Sequence, residues 1–367
     1  MKINGKHYQT IWETDEKLTS ISIIDQRLLP HKFEIVNLLT FEDFLIAIKD
    51  MLVRGAPLIG VTTAYALYFA VKDCAESEFD ATFEVSIKKL LSTRPTAVNL
   101  KNTIELARKS IGSLNSIEAK KEALLNFARK LLKEDKEICK KIGEHGSKLL
   151  EDIFRRKGAT VNILTHCNAG WLATIDYGTA LAPIYIARDK GVDVHVWVDE
   201  TRPRLQGAKL TAFELLHEGI PHTVISDNTG GLLMQKGMVD IVIVGTDRTT
   251  RKGDVVNKIG TYLKALSAYD NNVPFYVALP STSIDWSEEL TVDQIPIEIR
   301  NENEVKYVSG VVDGKFVDVL ITPKSSKALN YAFDITPSRL VTGLITERGI
   351  CPASEEGLLS LFPEMVK

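Results

Sequence analysis

Apolar and polar positions divide the chain into two rhythms. From residue 40 to about residue 154, apolar residues return every third or fourth position, which is the spacing of a helical face. "TFEDFLIAIKDML" opens on Thr40, whose hydroxyl suits an N-cap, and predicts a helix. "LIGVTTAYALYFAVKDC" is apolar nearly all round and predicts a buried helix. "TFEVSIKKLLS", "AVNLKNTIELARKS" and the charged residues 116–154 continue the pattern, the last as one long helix or two joined near Glu134. Ahead of them, residues 11–36 read as short strands and turns, with apolar clusters ended by Pro30.

From Thr160 the rhythm becomes strand, helix, strand. "VNILTH", "VHVWVDE", "HTVISD", "DIVIVGTD" and "PFYVALP" are short β-rich runs separated by helix-like segments, with Gly191 and Gly219 where helix C-caps belong. Short buried strands alternating with helices predict a parallel sheet with crossover helices. The fold class is therefore α/β. Residues 1–136 form a mainly helical N-terminal domain with a few short strands, and residues 137–367 a Rossmann-like, doubly wound parallel sheet. Each strand runs out into polar or small groups: Cys167-Asn168, Asp199-Glu200-Thr201, Asp227-Asn228, Thr246-Asp247 and Pro280-Ser281. In open parallel sheets ligands bind at the carboxyl ends of the strands, so these groups converge on one rim. Taken singly, Asp199, Asp227 and Ser281 read equally well as turn formers and helix caps.

Composition narrows the partners. A formal net charge of -3 gives no global bias toward nucleic acid or an anionic membrane, and no apolar run approaches the ~20 residues of a membrane helix. The opening "MKINGKHYQTIWETDEK" lacks the apolar core of a secretory signal, and Cys74, Cys139, Cys167 and Cys351 are far apart with no CxxC. These features point to a cytoplasmic protein with free thiols. Fingerprints for nucleotide (GxxxxGK, GxGxxG) and for serine hydrolysis (GxSxG) are missing, and His166 and Cys167 are neighbours that point to opposite faces of a strand, so neither cofactor nor metal is expected. Candidate chemistry is instead cationic. Arg54 in "RGAP", Arg94 in "STRPTAVNL", and Arg202, Gln206, Asn257 and Lys258 stand near helix starts. Arginine forks and helix N–H groups together suit a phosphate-bearing ligand held by residues of both domains.

The segments "RGAPLIG", "RPTAVNL", "ILTHCNAGWLAT", "GTAL", "ETRPRLQGAKLTA", "GIPHTVISD", "VDIVIVGTDR", "GD" then "NKIGTY", "PFYVALPSTSIDW" and "AFDITP" resemble those of the 5-methylthioribose-1-phosphate isomerases. The resemblance runs over about residues 11–352. Its superfamily also holds regulatory subunits of a translation-initiation exchange factor and ribose-1,5-bisphosphate isomerases. It implies a homodimer, no metal or nucleotide cofactor, and the conversion of 5-methylthioribose 1-phosphate to the 1-phosphoketose in methionine salvage. It implies a catalytic pair, Cys167 and Asp247. It places phosphosugar contacts on Arg54, Gly55, Ala56, Arg94, Gln206, Asn257 and Lys258. Two stretches depart from the family pattern: "TTRKGD" (Thr249 to Asp254) where many members read I-A-x-N-G-D, and "DNTGG" (Asp227 to Gly231) where D-x-M-A is commoner. They put the C5 substituent in question, and leave 5-deoxyribose 1-phosphate and ribose 1,5-bisphosphate as alternatives. Arg251 and Lys252 would grip the second phosphate of the latter. A regulatory, non-enzymatic member should lack the thiol–carboxylate pair.

In the expected reaction a phosphate blocks the anomeric oxygen, so the furanose cannot open by itself. An acid at the ring oxygen and a base at C2 are needed. Asp247 is the expected acid, kept protonated by burial, and Cys167 the base or electrostatic partner, favoured as thiolate by N–H groups of a helix after Gly170. Proton transfer through a phosphoenolate and hydride shift through an oxocarbenium ion both fit.

Overall fold

The computed structural model describes residues 1–94, 98–287 and 295–366. Pro95, Thr96 and Ala97 of the "STRPTAVNL" motif lie outside the described residues. The chain forms two compact units, Met1–Lys140 with Gly170–Gly178, and Lys141–Ala169 with Thr179–Lys367. The division falls at Lys140–Lys141, where the sequence suggested 136/137, and the segment after Ala169 counts with the first unit.

The first unit opens with the ribbon β1 (Lys2–Ile3) and β2 (Lys6–His7), followed by an antiparallel sheet of β3 (Ile11–Glu13), β4 (Ile21–Ile24) and β5 (Ile35–Leu38). The central strand β4 is buried along its whole length. Helix α1 (Phe41–Lys49) starts as predicted. Thr40 accepts the Asp43 N–H while the Asp43 carboxylate accepts the Thr40 N–H, a reciprocal capping box. Helix α2 (Ala56–Val71) is the buried centre and packs against α1, α3 (Phe79–Thr93) and α4 (Val98–Ile111). Its all-round apolar surface has that cause: a helix surrounded by others keeps no solvent face. Helix α5 (Ile117–Lys157) is a single helix of 41 residues, without a break at Glu134.

In the second unit β6 (Val161–Thr165), α6 (Ala182–Asp189), β7 (Val194–Asp199), α7 (Ala212–His217), β8 (His222–Ile225), α8 (Thr229–Gln235) and β9 (Ile241–Val244) alternate as the sequence predicts. Gly191 and Gly219 come after α6 and α7 with φ of +84° and +66°. A small sheet then intervenes, with β10 (Arg248–Thr250) and β11 (Val255–Lys258). The chain continues through α9 (Thr261–Asp270), β12 (Phe275–Ala278) and β13 (Ile284–Asp285). Helix α10 (Asn303–Lys306) leads into the hairpin β14 (Tyr307–Val312) and β15 (Lys315–Leu320), and then come β16 (Phe333–Thr336), β17 (Gly343–Thr346), β18 (Gly349–Cys351) and α11 (Glu355–Leu361).

The main sheet has seven strands in the order β18-β17-β12-β9-β6-β7-β8. All pairs are parallel except β17–β18 at one edge. Counted along the chain, its parallel strands lie 3-2-1-4-5-6, the doubly wound Rossmann order. Leu164, Val242, Val244, Val277 and Leu344 pack with residues of α8, α9 and α11 in one core cluster. The intervening Ile163, Ile241 and Ile243 are fully buried too, as strands covered on both faces require. The small sheet, in the order β13-β10-β11-β16, stands at the end of β9.

Candidate active site

In a doubly wound sheet the connections from two central strands leave in opposite directions and open a crevice at their carboxyl ends. Here those strands are β6 and β9, neighbours in register from Ile163 opposite Ile241. Cys167 lies two residues beyond β6 and Asp247 three beyond β9. The loops touch: a Cβ on Gly245 would stand 2.6 Å from the Ala169 Cβ. The two expected catalytic groups therefore flank the topological switch point.

Cys167 is buried, and its backbone is left-handed with φ of +64°. That conformation disfavours any residue with a Cβ and persists only where surroundings hold it. Its N–H donates to Thr201 Oγ1 at 2.8 Å, and its carbonyl accepts from Thr211 Oγ1 at 2.7 Å. Next to it, His166 is buried between Asp199 Oδ2, 2.9 Å from Nδ1, and the Ile259 carbonyl, 2.8 Å from Nε2. A carbonyl only accepts, so Nε2 carries a proton, and the Nδ1–Asp199 contact needs a second one, on the ring or on the carboxyl. Lys264 Nζ lies 3.1 Å from Asp199 Oδ2 and also donates to the Asp227 carbonyl. The Asp227 carboxylate accepts the N–H groups of Thr201 and Arg202, both at 2.7 Å.

His166, Asp199 and Asp227 bring their ligand atoms within 4.8 Å of one another, a grouping that could hold a metal ion. The ammonium of Lys264 already supplies a cation on Asp199 Oδ2, and backbone N–H groups bond both oxygens of Asp227, while Asp199 Oδ1 is buried without a partner. From sequence Asp199 and Asp227 read equally well as rim groups and as turn formers or caps. In the structure Asp199 is an ion-pair partner, and Asp227, in the turn before α8, also ties down the chain after β7. Lys264 was not singled out. It sits with Thr261, Ala265 and Ala268 on the buried face of α9, where sequence offers only a lysine on an apolar stripe.

The segment after β7 carries Gln206. Gly207 is obligatory there, since a Cβ would fall 1.7 Å from the Asp199 carbonyl oxygen. The chain then makes a π-helical turn over Gly207–Thr211, a form that recurs at functional sites. Gln206 is buried, and its Oε1 has no protein partner. Asn257 and Lys258 end β11 beside Asp247, whose N–H donates to the Val256 carbonyl at 2.9 Å. Asn257 Nδ2 donates to Thr261 Oγ1 at 3.0 Å. Lys258 Nζ donates to the Ala332 carbonyl at 2.9 Å and lies over the Phe333 ring. Cys167, Asp247, Gln206, Asn257 and Lys258 thus all stand on loops and strand ends at one rim.

Two expectations are corrected. Asp247 is exposed, so this chain does not bury it. After Gly170 the chain makes a single 3-10 turn, Trp171–Ala173, and α6 starts only at Ala182, so no α-helix N-terminus comes directly behind the cysteine. Arg251, the expected grip for a second phosphate, has Nε bound to Glu355 Oε1 at 2.7 Å and is buried.

The remaining expected residues belong to the first unit. Gly55 has φ of +96°, and a Cβ there would meet the Ala173 carbonyl oxygen at 2.2 Å, so only glycine fits. It begins α2 without a side-chain cap, with Pro57 in the first turn, leaving the N–H groups of Ala56 and Leu58 for another acceptor. Arg54 precedes this turn, and Arg94 ends α3.

Comparison with known proteins identifies the class. Residues 52–353 match the model of the "Initiation factor 2 subunit family", and the chain belongs to that family. Within it, the chain is 56% identical to the methylthioribose-1-phosphate isomerase of Desulfatibacillum aliphaticivorans, over 100% of both chains. Its fold matches the crystal structure of 5-methylthioribose 1-phosphate isomerase from Pyrococcus horikoshii OT3 with a TM-score of 0.85 and 36% identity, covering 98% of this chain and 97% of that one. It also matches a crystal structure described as translation initiation factor eIF-2B subunit delta from A. fulgidus, with a TM-score of 0.79 and 39% identity, over 97% and 100% of the two chains.

Proposed function

We propose that this protein is an aldose–ketose isomerase that converts 5-methylthioribose 1-phosphate to 5-methylthioribulose 1-phosphate, a step of methionine salvage. The observation that carries the reading is full-length identity of 56% to a methylthioribose-1-phosphate isomerase, joined to a cysteine and an aspartate that flank the switch point. In this reading Asp247 protonates the ring oxygen as the bond from C1 to that oxygen breaks. The hydrogen on C2 passes to C1, with Cys167 taking or steering it, and the C2 hydroxyl gives up its proton as the ketone forms. Because Asp247 is exposed in the free chain, bound substrate must supply the dry surroundings that favour its acid form. Arg54, Gly55, Ala56, Arg94, Gln206, Asn257 and Lys258 are assigned to the phosphosugar. The uncapped start of α2 and the unpartnered Gln206 Oε1 support that assignment. Arg251 is tied to Glu355, which weighs against ribose 1,5-bisphosphate.

A homodimer fits the hairpin β14–β15. Two strands alone are marginal in water, and β15 exposes Phe316, Val319 and Leu320 along its length. A second copy would cover them. Sedimentation at micromolar concentration would then give twice the chain mass, and a Phe316→Glu variant would sediment as a monomer. Four unbridged cysteines suit a reducing cytoplasm, and among the described residues no helix is long and apolar enough to cross a membrane.

The decisive experiment is a panel of ribose 1-phosphates carrying methylthio, hydrogen or phosphate at C5, with ketose formation followed directly. The methylthio compound should give the highest kcat/KM. No ketose from any of the three would reject the enzymatic reading.

A further inference from the structure

Two threonines hold the candidate cysteine from opposite sides. Thr201 Oγ1 accepts the Cys167 N–H at 2.8 Å and donates to the Asp199 carbonyl at 3.0 Å. Thr211 Oγ1 donates to the Cys167 carbonyl at 2.7 Å and accepts from Asn168 Nδ2 at 3.2 Å. Asn168 Nδ2 is fixed in turn by Glu214 Oε1 at 2.8 Å, and the other oxygen of Glu214 accepts from Tyr185 at 2.8 Å. Both threonine side chains have donor and acceptor engaged, and both residues are fully buried. Thr201 itself is left-handed, with φ of +65°, an outlier for a β-branched residue. Its own N–H is held by Asp227 Oδ1. Two strained residues, Cys167 and Thr201, therefore share one hydrogen bond.

Strain of this kind must be imposed by neighbours, because each residue alone relaxes to negative φ. The two threonines also bracket the segment that bears Gln206. We propose that Thr201 and Thr211 are positioning residues. Their hydroxyls hold Cys167 in its left-handed conformation, so that the thiol is aimed into the switch-point crevice, and they couple that aim to the segment carrying Gln206. The role of the thiol in turnover rests on the proposed function, whereas the clamp on its backbone does not.

The test uses Thr201→Val and Thr211→Val, which keep the branched shape and remove the hydroxyl, and Thr201→Ser and Thr211→Ser, which keep the hydroxyl. Small displacements of a reacting group cost up to ~10²-fold. Each valine variant should lose kcat by about 10–100-fold with KM changed much less, the pattern of a lost transition-state alignment rather than lost binding. Each serine variant should recover most of that loss. Alkylation of Cys167 by iodoacetamide, followed peptide by peptide against pH, should shift in rate or midpoint in the valine variants and not in the serine ones. If one valine variant fails to fold, the other decides. A folded valine variant with wild-type kcat and a wild-type alkylation profile overturns the proposal. So does a loss that serine does not relieve, since shape and not the hydroxyl would then be at fault. Normal turnover by Cys167→Ala would sink the catalytic reading while leaving the alkylation profile to judge the clamp.

Discussion

Two buried aspartates, Asp135 in the first unit and Asp199 in the second, are treated in opposite ways. Asp135 lies inside α5, where its carboxylate accepts the Ile175 N–H at 2.8 Å and has the Cys139 thiol nearby. Burial, with the like charge of Asp176 adding to it, pushes its pKa up to about 7. Asp199 is as deeply buried, but it faces the imidazole of His166 and the ammonium of Lys264. Asp135 meets the cost of burial with a raised pKa, and Asp199 with the ammonium of Lys264 beside it. Removing a charge from water costs several kcal/mol unless a partner offsets it. The helical unit has an isolated carboxyl that pins one loop. The sheet unit has a charged network at the strand ends, beside the cysteine, in which Asp199 Oδ2 is engaged by His166 and Lys264 and Asp199 Oδ1 is left without a partner.

The contrast breaks first if the chemistry does not belong to the sheet unit. Cys167→Ala and Asp247→Asn are expected to fold and each to lose ~10²–10⁴ in turnover, the range of a positioned acid or base. The double variant should be little worse than the worse single one. A folded Asp247→Asn enzyme with near-normal kcat would remove the acid role, because an asparagine keeps a capping oxygen but cannot donate that proton.

Pairing of Asp199 is tested next. Lys264→Met leaves a buried carboxylate without its ammonium and should cost about 3–5 kcal/mol, the usual loss when one partner of a buried pair is removed. Urea unfolding would read it, and a change under ~1 kcal/mol would mean that His166 alone suffices.

Asp135 should behave in the reverse sense. Its folded pKa of about 7 exceeds its ordinary value of 3.8. Its contribution to stability is therefore fully present below pH ~4 and is lost as pH rises through ~7, by ~1.4 kcal/mol per unit at most. Asp135→Asn removes that slope and retains an acceptor for the Ile175 N–H. The variant should overtake the wild type in denaturant midpoint at pH 8 and not at pH 5. Equal pH slopes for the two proteins would show that Asp135 is charged at little cost.

The smallest effect is assigned to the first unit's cation. Arg94→Ala should weaken sugar-phosphate binding by about 1.5–3 kcal/mol with kcat less affected, and titration calorimetry with the ketose product would measure it. An unchanged affinity would take Arg94 out of the substrate contacts.

What the sequence determined by itself is local in origin. Apolar spacing placed the α2 and α1 helices and five of the seven strands of the main sheet, Thr40 announced its capping box, and Gly191 and Gly219 marked helix ends, because period and capping depend on residues within a turn or two of each other. Alternation of short apolar runs with helices was enough for a doubly wound sheet, and ordered motifs were enough for the family. The strand ends were legible as a rim, and so were Cys167 and Asp247 through the resemblance. Only the tertiary structure decided which rim residues meet. Lys264 reaches Asp199 from a helix 65 residues on, and Thr201 and Thr211 close on Cys167 from a neighbouring strand's loop. The burial that moves Asp135 and the exposure that leaves Asp247 in water were likewise invisible, since both depend on elements far away in the chain. Strand order is a non-local property: it brings together groups whose separation in sequence carries no signal of their contact.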